Sequence, residues 1–248
     1  MQAWFETDLG KYMLMREQDW FDAVSADLFG FNAVQIGSCG VDFLRANRMP
    51  QRFCAALDEG GLRCQPEQLP LAGQSLDLVA LPHVLEFSEN PHQTLREAER
   101  VLRPEGRLLI TGFNPLSLWG ARRLLRRQET AWPWNGRFIH LTRLKDWLAL
   151  LGFELIGGRM ACYAPPINRA AWLERFAFLE AAGDRWWALG GGVYQLHAVK
   201  RVHGMRLILP RREGRWLTRP AWSAAPRQSI QRTNDTGGSP PAPPHQTS

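Results

Sequence analysis

The chain has 248 residues, of which 45% are hydrophobic, and a formal net charge of +6 at pH 7. This length suffices for one main domain with a sizeable core. No apolar run approaches the roughly 20 residues that cross a bilayer, and the N-terminus lacks the basic start and apolar region of a signal peptide. The four cysteines show no paired metal-ligand spacing and no disulfide-like density, so we expect a protein of the reducing cytoplasm.

The excess positive charge is confined to the C-terminal end. Residues 201–248 contain eight arginines and two acidic residues, whereas residues 1–200 contain 22 basic and 22 acidic residues. Residues 206–248 are also rich in Pro, Ser, Thr and Gln, a composition typical of a disordered tail. Such a tail is more often solubilising than nucleic-acid-binding, and both interpretations stay open.

In the leading segment, residues 1–31, an amphipathic pattern over residues 11–28 predicts a helix that covers one face of a sheet or gates a ligand cleft. The residues expected on its exposed side are Lys11, Arg16, Glu17 and Asp19. A short apolar strand at 32–36 then runs into a glycine-containing loop at 37–40, and we expect a helix after the loop. In an open parallel sheet, a nucleotide-like ligand binds at this point, because glycine lets the backbone approach the ligand.

Two further strands are predicted before the middle of the chain. Residues 52–57 form a second strand that ends at Asp58 and Glu59, and residues 62–65 form a third. Asp58 directly follows the apolar run, so we prefer it as a ligand-binding carboxylate over Glu59. An ordinary acid in a glycine-containing turn is the alternative.

Residues 67–113 give the clearest pattern: a strand, a helix and a second strand. The apolar run from 76 to 81 is typical of a strand buried on both faces. Asn90 can cap the helix and Pro91 suits its first position. After a turn at 104–106, residues 107–113 form the next strand. A strand, crossover helix and strand of this length form a right-handed parallel unit.

Two long connections, residues 114–141 and 157–192, surround a helix from Thr142 and a sixth strand at 153–156. They leave from the carboxyl ends of strands, so we expect them over the functional edge of the sheet. They concentrate six tryptophans, either as a substrate pocket or as a satellite hydrophobic cluster: Trp119, Trp132, Trp134, Trp172, Trp186 and Trp187. Arg122, Arg123, Arg126 and Arg127 share one helical face, either a phosphate-binding patch or a solvated face. A seventh strand is predicted at 193–199.

The stretch from 67 to 115 resembles the type 11 family of class I S-adenosylmethionine-dependent methyltransferases. The motifs that carry the resemblance are Leu69-Pro70, Leu76-Asp77-Leu78-Val79, Arg96-Glu97, Arg100-Val101-Leu102 and Pro104-Glu105-Gly106. The resemblance implies a Rossmann-like α/β fold over residues 32–205. Its sheet would be mostly parallel and seven-stranded, with an antiparallel last strand and helices on both faces.

The resemblance also implies S-adenosylmethionine as the cofactor. Gln35 stands where the family has an acid before its Gly-x-Gly-x-Gly motif, Gly37 matches the first glycine, and Cys39 and Val41 replace the others. The family's ribose-binding acid matches Asp58. The full set of expected cofactor-binding residues is Gln35, Gly37, Ser38, Cys39, Gly40, Asp58, Gln65, Glu67, Leu69, Pro82 and His83. Only 40 positions separate Gly37 from Asp77, so we expect the helix after the second strand to be trimmed or missing.

His83 and Glu86 follow the fourth strand, where the resemblance places the substrate beside the cofactor methyl group. An imidazole or carboxylate there can remove a substrate proton, so both are candidate catalytic residues; the alternative is that they cap the following loop. The histidines are scattered without ligand spacing, and we expect no metal site.

Two functions are consistent with the sequence. The first is a methyltransferase for an unidentified acceptor, a small molecule rather than a macromolecule. The second is a catalytically inactive domain of the same fold that binds RNA or protein, with the arginine face and the basic tail in contact with phosphates.

Overall fold

A computed structural model describes residues 2–58, 60–125, 131–180, 183 and 190–201. Residues up to 204 form one compact unit. The predicted tail at 206–248 lies outside the described residues, as do Arg126, Arg127, Trp186 and Trp187.

Seven strands form one sheet in the order β3-β2-β1-β4-β5-β7-β6. Strands β1 to β5 pair in parallel, whereas β7 runs antiparallel between β5 and β6. This arrangement confirms the expected fold. The strands are β1 (Asn32–Ile36), β2 (Gln51–Ala56), β3 (Leu62–Arg63), β4 (Leu76–Pro82), β5 (Leu102–Phe113), β6 (Phe153–Ala161) and β7 (Val193–Lys200). The helices are α1 (Gln2–Phe5), α2 (Asp8–Ser25), α3 (Pro91–Val101), α4 (Leu118–Leu125), α5 (Leu141–Leu150) and α6 (Ala170–Arg175).

The β4–α3–β5 unit follows the predicted pattern. The Asn90 side chain caps α3 by accepting a hydrogen bond from the backbone N–H of Gln93 at 3.2 Å. Leu95, Ala98 and Val101 are buried against the sheet. The turn predicted at 104–106 is instead an irregularity inside β5, because pairing with β4 begins at Leu102 and resumes at Arg107.

The N-terminal helix begins and ends three residues earlier than predicted. Thr7 caps α2 by accepting a hydrogen bond from the backbone N–H of Gly10 at 3.1 Å. Met13 and Phe21 are fully buried beside the sheet. The expected exposure of Glu17 is wrong: this carboxylate is fully buried because it points to the end of β4 and meets His83 there.

The segment between β1 and β4 departs from the expectation in two places. The helix expected after the glycine loop is absent, and residues 37–50 form a succession of turns. The expected absence of disulfides is also wrong, because the structure joins Cys39 to Cys54. The missing helix after the second strand is confirmed, since only residues 57–61 connect β2 to β3.

The C-terminal half contains the predicted helix and the last two strands. Strand β6 continues to Ala161, five residues beyond the predicted end at 156, because its whole length pairs with β7. Within the described ranges, no helix combines the length and the apolar character needed to cross a membrane.

Candidate active site

The carboxyl ends of β1, β2 and β4 open into a cleft of about 490 Å³. This is the edge at which open parallel sheets bind their ligands. The expected cofactor-binding residues that line the cleft are Gly37, Ser38, Gln65, Glu67, Pro82 and His83. Those that lie outside its lining are Gln35, Cys39, Gly40, Asp58 and Leu69.

A sharp bend at Gly37 and Ser38 forms one wall of the cleft. Both residues have left-handed backbone angles, with φ of 74° and 51°. The Gly37 N–H donates a hydrogen bond to the Ala55 carbonyl at 2.8 Å, which ties the bend to β2. A Cβ at Gly37 would stand 3.0 Å from Cγ2 of Val84. The left-handed backbone angle favours glycine here, a Cβ would crowd Val84, and the bare backbone faces the cleft.

Gln35 does not reach the cleft, because its side chain holds the loop that follows. Its Nε2 donates hydrogen bonds to the carbonyls of Gly37, Ser38 and Val41 at 3.2, 3.0 and 2.8 Å. Its Oε1 accepts one from the Phe43 N–H at 2.9 Å. The amide is buried and fully used. A carboxylate could not donate these bonds, so the geometry assigns the Gln35 side chain to supporting the loop, outside the cleft lining.

The disulfide supports the same loop from the other side. Cys39 in the loop is bonded to Cys54 on β2, 15 positions away. A Cβ at Gly60 would stand 2.7 Å from the Cys39 sulfur, and the φ of Gly60 is 107°. The bond thus fixes the loop to β2. Gly40 is exposed. It lies between Cys39, which is bonded to β2, and Val41, whose carbonyl accepts a hydrogen bond from Gln35.

The opposite end of the cleft is acidic and amide-rich. Asp58 is exposed and comes directly after Leu57, which lines the cleft. Glu67 accepts hydrogen bonds from the Ser88 hydroxyl and, at 3.4 Å, from the Asn90 N–H. Gln65 also lines this end. Leu69 is buried, and its N–H donates to Glu97, so it supports the wall from behind.

His83 is held between two carboxyl groups at the base of the cleft. Its Nε2 lies 2.7 Å from Oε1 of Glu17, and its Nδ1 lies 3.3 Å from Oε1 of Glu86. All three side chains are at most 3% exposed. The ring of Phe113 covers the imidazole, with ring centroids 4.2 Å apart.

This environment keeps His83 protonated. Burial by itself lowers the pKa of an imidazole, but the charge and hydrogen bond of Glu17, with Glu86, outweigh it and raise the pKa to about 10. Both ring nitrogens are then donors with carboxyl partners. An imidazolium so placed has no free lone pair to accept a proton, so this geometry favours a structural role for His83, and its predicted catalytic role stays a prediction.

The Glu86 carboxylate, like the His83 imidazole, is buried and hydrogen-bonded to more than one group. Its Oε1 also accepts a hydrogen bond from the Phe113 N–H at 2.6 Å. Gly112 is required beside it, because a Cβ there would clash with the hydroxyl of Tyr194 and stand 2.8 Å from Glu86 Oε1. Burial, and then the charge of Glu86, raise the pKa of the Tyr194 phenol well above its usual value. Among the described residues, four buried oxygens here have no hydrogen-bond partner: Glu17 Oε2, Glu86 Oε2, Thr111 Oγ1 and Tyr194 Oη.

The aromatic residues of the long connections form a hydrophobic cluster beside the cleft. Trp119 is fully buried and Trp134 almost so, which supports the interpretation of both as members of a hydrophobic cluster rather than of a substrate pocket. Trp132 stacks on Phe87, with centroids 5.8 Å apart, and Phe87 lines the cleft. Trp172 lies away from these rings and stacks on Phe176. The cluster therefore meets the cleft at Phe87 and, through Phe113, at His83.

The arginine face is partly used in packing. The Arg122 guanidinium lies 4.3 Å from the ring centre of Trp134 and donates a hydrogen bond to the Pro166 carbonyl. Arg123 lies 5.1 Å from the ring centre of Phe138. These two cations stabilise the aromatic cluster, so a phosphate-binding patch would depend on Arg126 and Arg127, outside the described residues.

Sequence reasoning missed several residues of the site, Glu17 above all. A charged residue in an amphipathic helix is assigned to the exposed face unless a buried partner is known, and the partner is 66 positions away. Phe87, Ser88 and Asn90 were also missed as cleft residues, although their place after β4 was a usable signal. Within the described part of the chain, no group of three His, Cys, Asp or Glu residues could hold a metal ion.

Comparisons with solved structures support the fold. An S-adenosylmethionine-dependent methyltransferase of Thermotoga maritima aligns with a TM-score of 0.54 at 18% identity, covering 81% of this chain and 94% of that chain. Geranyl diphosphate methyltransferase in complex with S-adenosylmethionine aligns with a TM-score of 0.51 at 15% identity, covering 75% and 85%. At such identities the likeness shows the fold alone.

Comparisons of sequence point to the same class. Residues 40–110 match a family model described as a methyltransferase domain. The uncharacterized protein YafS of Escherichia coli K12 is 35% identical over 141 residues, 55% of this chain and 57% of that protein. The malonyl-[acyl-carrier protein] O-methyltransferase of a Methylovorus strain is 34% identical over 88 residues, 36% of this chain and 29% of that protein. The matched segments thus cover at most 57% of the length of these relatives.

Proposed function

We propose that the chain binds S-adenosylmethionine and transfers its methyl group to an acceptor, a proposal supported by the match of residues 40–110 to a methyltransferase-domain model and by the fold. The observation that carries this proposal is the cleft of about 490 Å³ at the carboxyl ends of β1, β2 and β4. Small-molecule sites are commonly 300–1,000 Å³ and lie at this edge of such sheets.

Residues that line the cleft, together with Asp58 beside it, fit this cofactor. The bare backbone at Gly37 leaves room beside Val84 that a Cβ would fill. Asp58 is exposed at the end of β2, where its carboxylate can accept hydrogen bonds from both ribose hydroxyls. The Gln65 amide at the end of β3 can pair with the adenine. When bound, the cofactor supplies an electrophilic methyl group on a positively charged sulfur.

The Glu17–His83–Glu86 group shapes this site rather than removing a proton. It joins α2 to the segment after β4 and closes the base of the cleft with one imidazolium between two carboxyl groups. Methyl transfer by in-line displacement depends on orientation, which alone can supply several kcal/mol of the barrier. The chain contributes by holding the two reactants in line and by excluding water with Phe87 and the aromatic cluster behind it.

A small molecule is the acceptor that we propose, because the cleft adjoins a cluster of packed aromatic rings at Phe87. The test is transfer of labelled methyl from S-adenosylmethionine to fractions of a cell extract. We expect label in the small-molecule fraction, and much less with Asp58→Ala. Label confined to protein or RNA would contradict the choice of acceptor, and no label in any fraction would contradict the enzyme.

A second candidate is a domain that binds RNA or protein without catalysis. One observation favours it: Gln35 and Cys39, at positions where the resembled family has its cofactor motif, are committed to holding the loop. This candidate predicts RNA binding that weakens with salt and is lost when residues 206–248 are removed. Binding that is absent or insensitive to salt would eliminate it.

We propose the cytoplasm as the site of action, as the composition predicts. The cytoplasm keeps most thiols reduced. Measuring whether the Cys39–Cys54 bond is formed or reduced in cells is therefore the direct check of this assignment.

A further inference from the structure

A second cavity, of about 310 Å³, lies beside the cleft between the start of α3 and the start of α5. The two cavities share Glu89 and Asn90 as a common wall. Both helices begin at the carboxyl edge of the sheet, so the second cavity opens on the same side of the molecule as the cleft.

The second cavity carries more positive than negative charge. Arg137 and Arg143 line it together with His92 and His140, and Glu89 is the one acidic residue of its lining. Among the described residues, neither arginine forms an ion pair within 4.0 Å with a carboxylate. Arg137 donates only to backbone carbonyls, with Nη2 at 3.3 Å from the Glu89 oxygen. Two guanidinium groups are thus available to an anion.

Arg143, an exposed residue of the cavity lining, lies against an aromatic ring. The Arg143 guanidinium lies 4.9 Å from the ring centre of Trp147, one helical turn further along α5. His92 meets the same indole edge to face, with ring centroids 5.7 Å apart. Stacking of this kind fixes a guanidinium plane while its N–H groups stay free to donate, an arrangement suited to phosphate or carboxylate.

The helix N-termini that border the cavity also favour an anion. The N-termini of α3 and α5, helices of 11 and 10 residues, both border the cavity, and helix N-termini favour negative charge. The His140 side chain at the start of α5 makes no capping hydrogen bond.

We propose that this cavity binds an anionic group, a phosphate or carboxylate, of the methyl acceptor. This inference rests on the proposed function, because it assigns the cleft to the cofactor and the adjoining cavity to one end of its substrate. The shared wall at Glu89 and Asn90 would then place the rest of the acceptor near Phe87, at the boundary between the two sites. Selection for an anionic acceptor follows from the two arginines.

The test is a calorimetric titration of the full chain with inorganic pyrophosphate at fixed ionic strength. We expect wild-type binding that is weakened about tenfold or more by Arg143→Gln, and likewise by Arg137→Gln. Arg143→Lys should recover only part of the affinity, since an ammonium cannot form the two-pronged contact. The matched control is Arg96→Gln, which removes the same charge from the exposed face of α3 and should change nothing.

Three results would overturn the proposal. Equal binding by the wild type and both cavity variants, or no binding to the wild type, would remove the site. Binding that depends on the arginines but does not inhibit methyl transfer to the small-molecule fraction would indicate a free-anion site instead of an acceptor subsite. Titration of Arg143→Gln with S-adenosylhomocysteine separates these outcomes from failure of the proposed function, because Arg143 is not in the lining of the cofactor cleft and its substitution should leave that cleft unaffected.

Discussion

Glu17 and His83 lie 66 positions apart in the chain, and their side chains are joined by a 2.7 Å hydrogen bond in the core. This contact fixes the N-terminal helix to the end of β4, directly below the cleft. Since Glu86 engages the other ring nitrogen, the imidazolium is bound from both sides. The N-terminal helix is therefore part of the site and more than a cover for the sheet.

Removal of the Glu17 carboxylate should destabilise the fold. In Glu17→Ala the protonated His83 loses its nearer partner inside the core, and breaking one side of a buried pair costs about 3–5 kcal/mol. The free energy of unfolding in urea at pH 7 measures this loss. Asp19→Ala, on the exposed face of the same helix, should cost less than about 1 kcal/mol. Equal losses in the two variants would show that the buried pair contributes nothing specific.

The stability of the protein should fall as the pH rises above neutrality. The pKa of His83 in the folded state, about 10, exceeds its ordinary value of 6.5, so the folded protein holds a proton that the unfolded chain releases. The stabilisation is complete below pH 6.5 and is lost as the pH rises toward 10, by about 1.4 kcal/mol for each pH unit in that window. Urea unfolding at several pH values measures the slope.

The matched variant for this experiment is His83→Gln, which cannot titrate. The difference in unfolding free energy between wild type and variant removes the contributions of tyrosines, lysines and the free thiols that ionise in the same range. We expect this difference to shrink steadily from pH 6.5 to 10. A difference independent of pH would mean that His83 is neutral in the folded protein.

Gln35→Glu distinguishes a loop support from a degraded cofactor ligand. If Gln35 were only a weakened copy of the family's acid, glutamate would raise the affinity for the cofactor. We expect the opposite: the carboxylate cannot donate to the carbonyls of Gly37, Ser38 and Val41, so stability should fall by about 1–3 kcal/mol and affinity should not rise. Gln51→Glu, at an exposed position, is the control. Tighter binding of S-adenosylhomocysteine by Gln35→Glu would refute this account.

The Cys39–Cys54 bond should contribute measurably to stability. A crosslink that closes a loop of about 15 residues is worth about 3 kcal/mol when its geometry fits. Dithiothreitol should therefore lower the unfolding free energy of the wild type, and it should have no effect on a variant carrying both Cys39→Ser and Cys54→Ser. A thiol count gives the complementary check, with two free thiols expected per chain, Cys64 and Cys162. Four free thiols in the unreduced protein would contradict the bond.

The fold could be predicted from the sequence where local signals agreed. The strand–helix–strand unit at 76–113 was predictable because its apolar runs, its cap at Asn90 and its motifs all indicate the same structure. The order of the last two strands came from the resemblance, since no periodicity reveals which neighbours a strand pairs with.

The site was less predictable because its decisive contacts are long-range. The role of Gln35 depends on four backbone groups that converge only after the loop closes, and the role of Glu17 depends on a histidine from another element. The pairing of two cysteines 15 positions apart likewise depends on β2 lying beside β1. Pattern-based reasoning locates the edge of the sheet but not which side chains the fold has already used.

The central claim is that the cleft at the carboxyl ends of β1, β2 and β4 binds the cofactor, and calorimetric titration with S-adenosylmethionine and S-adenosylhomocysteine tests it most directly. We predict micromolar binding of both by the wild type and a loss of at least about tenfold in Asp58→Ala, whose carboxylate should hold the ribose hydroxyls. Absence of binding by correctly folded wild-type protein would contradict the claim and leave the partner-binding function as the candidate to pursue.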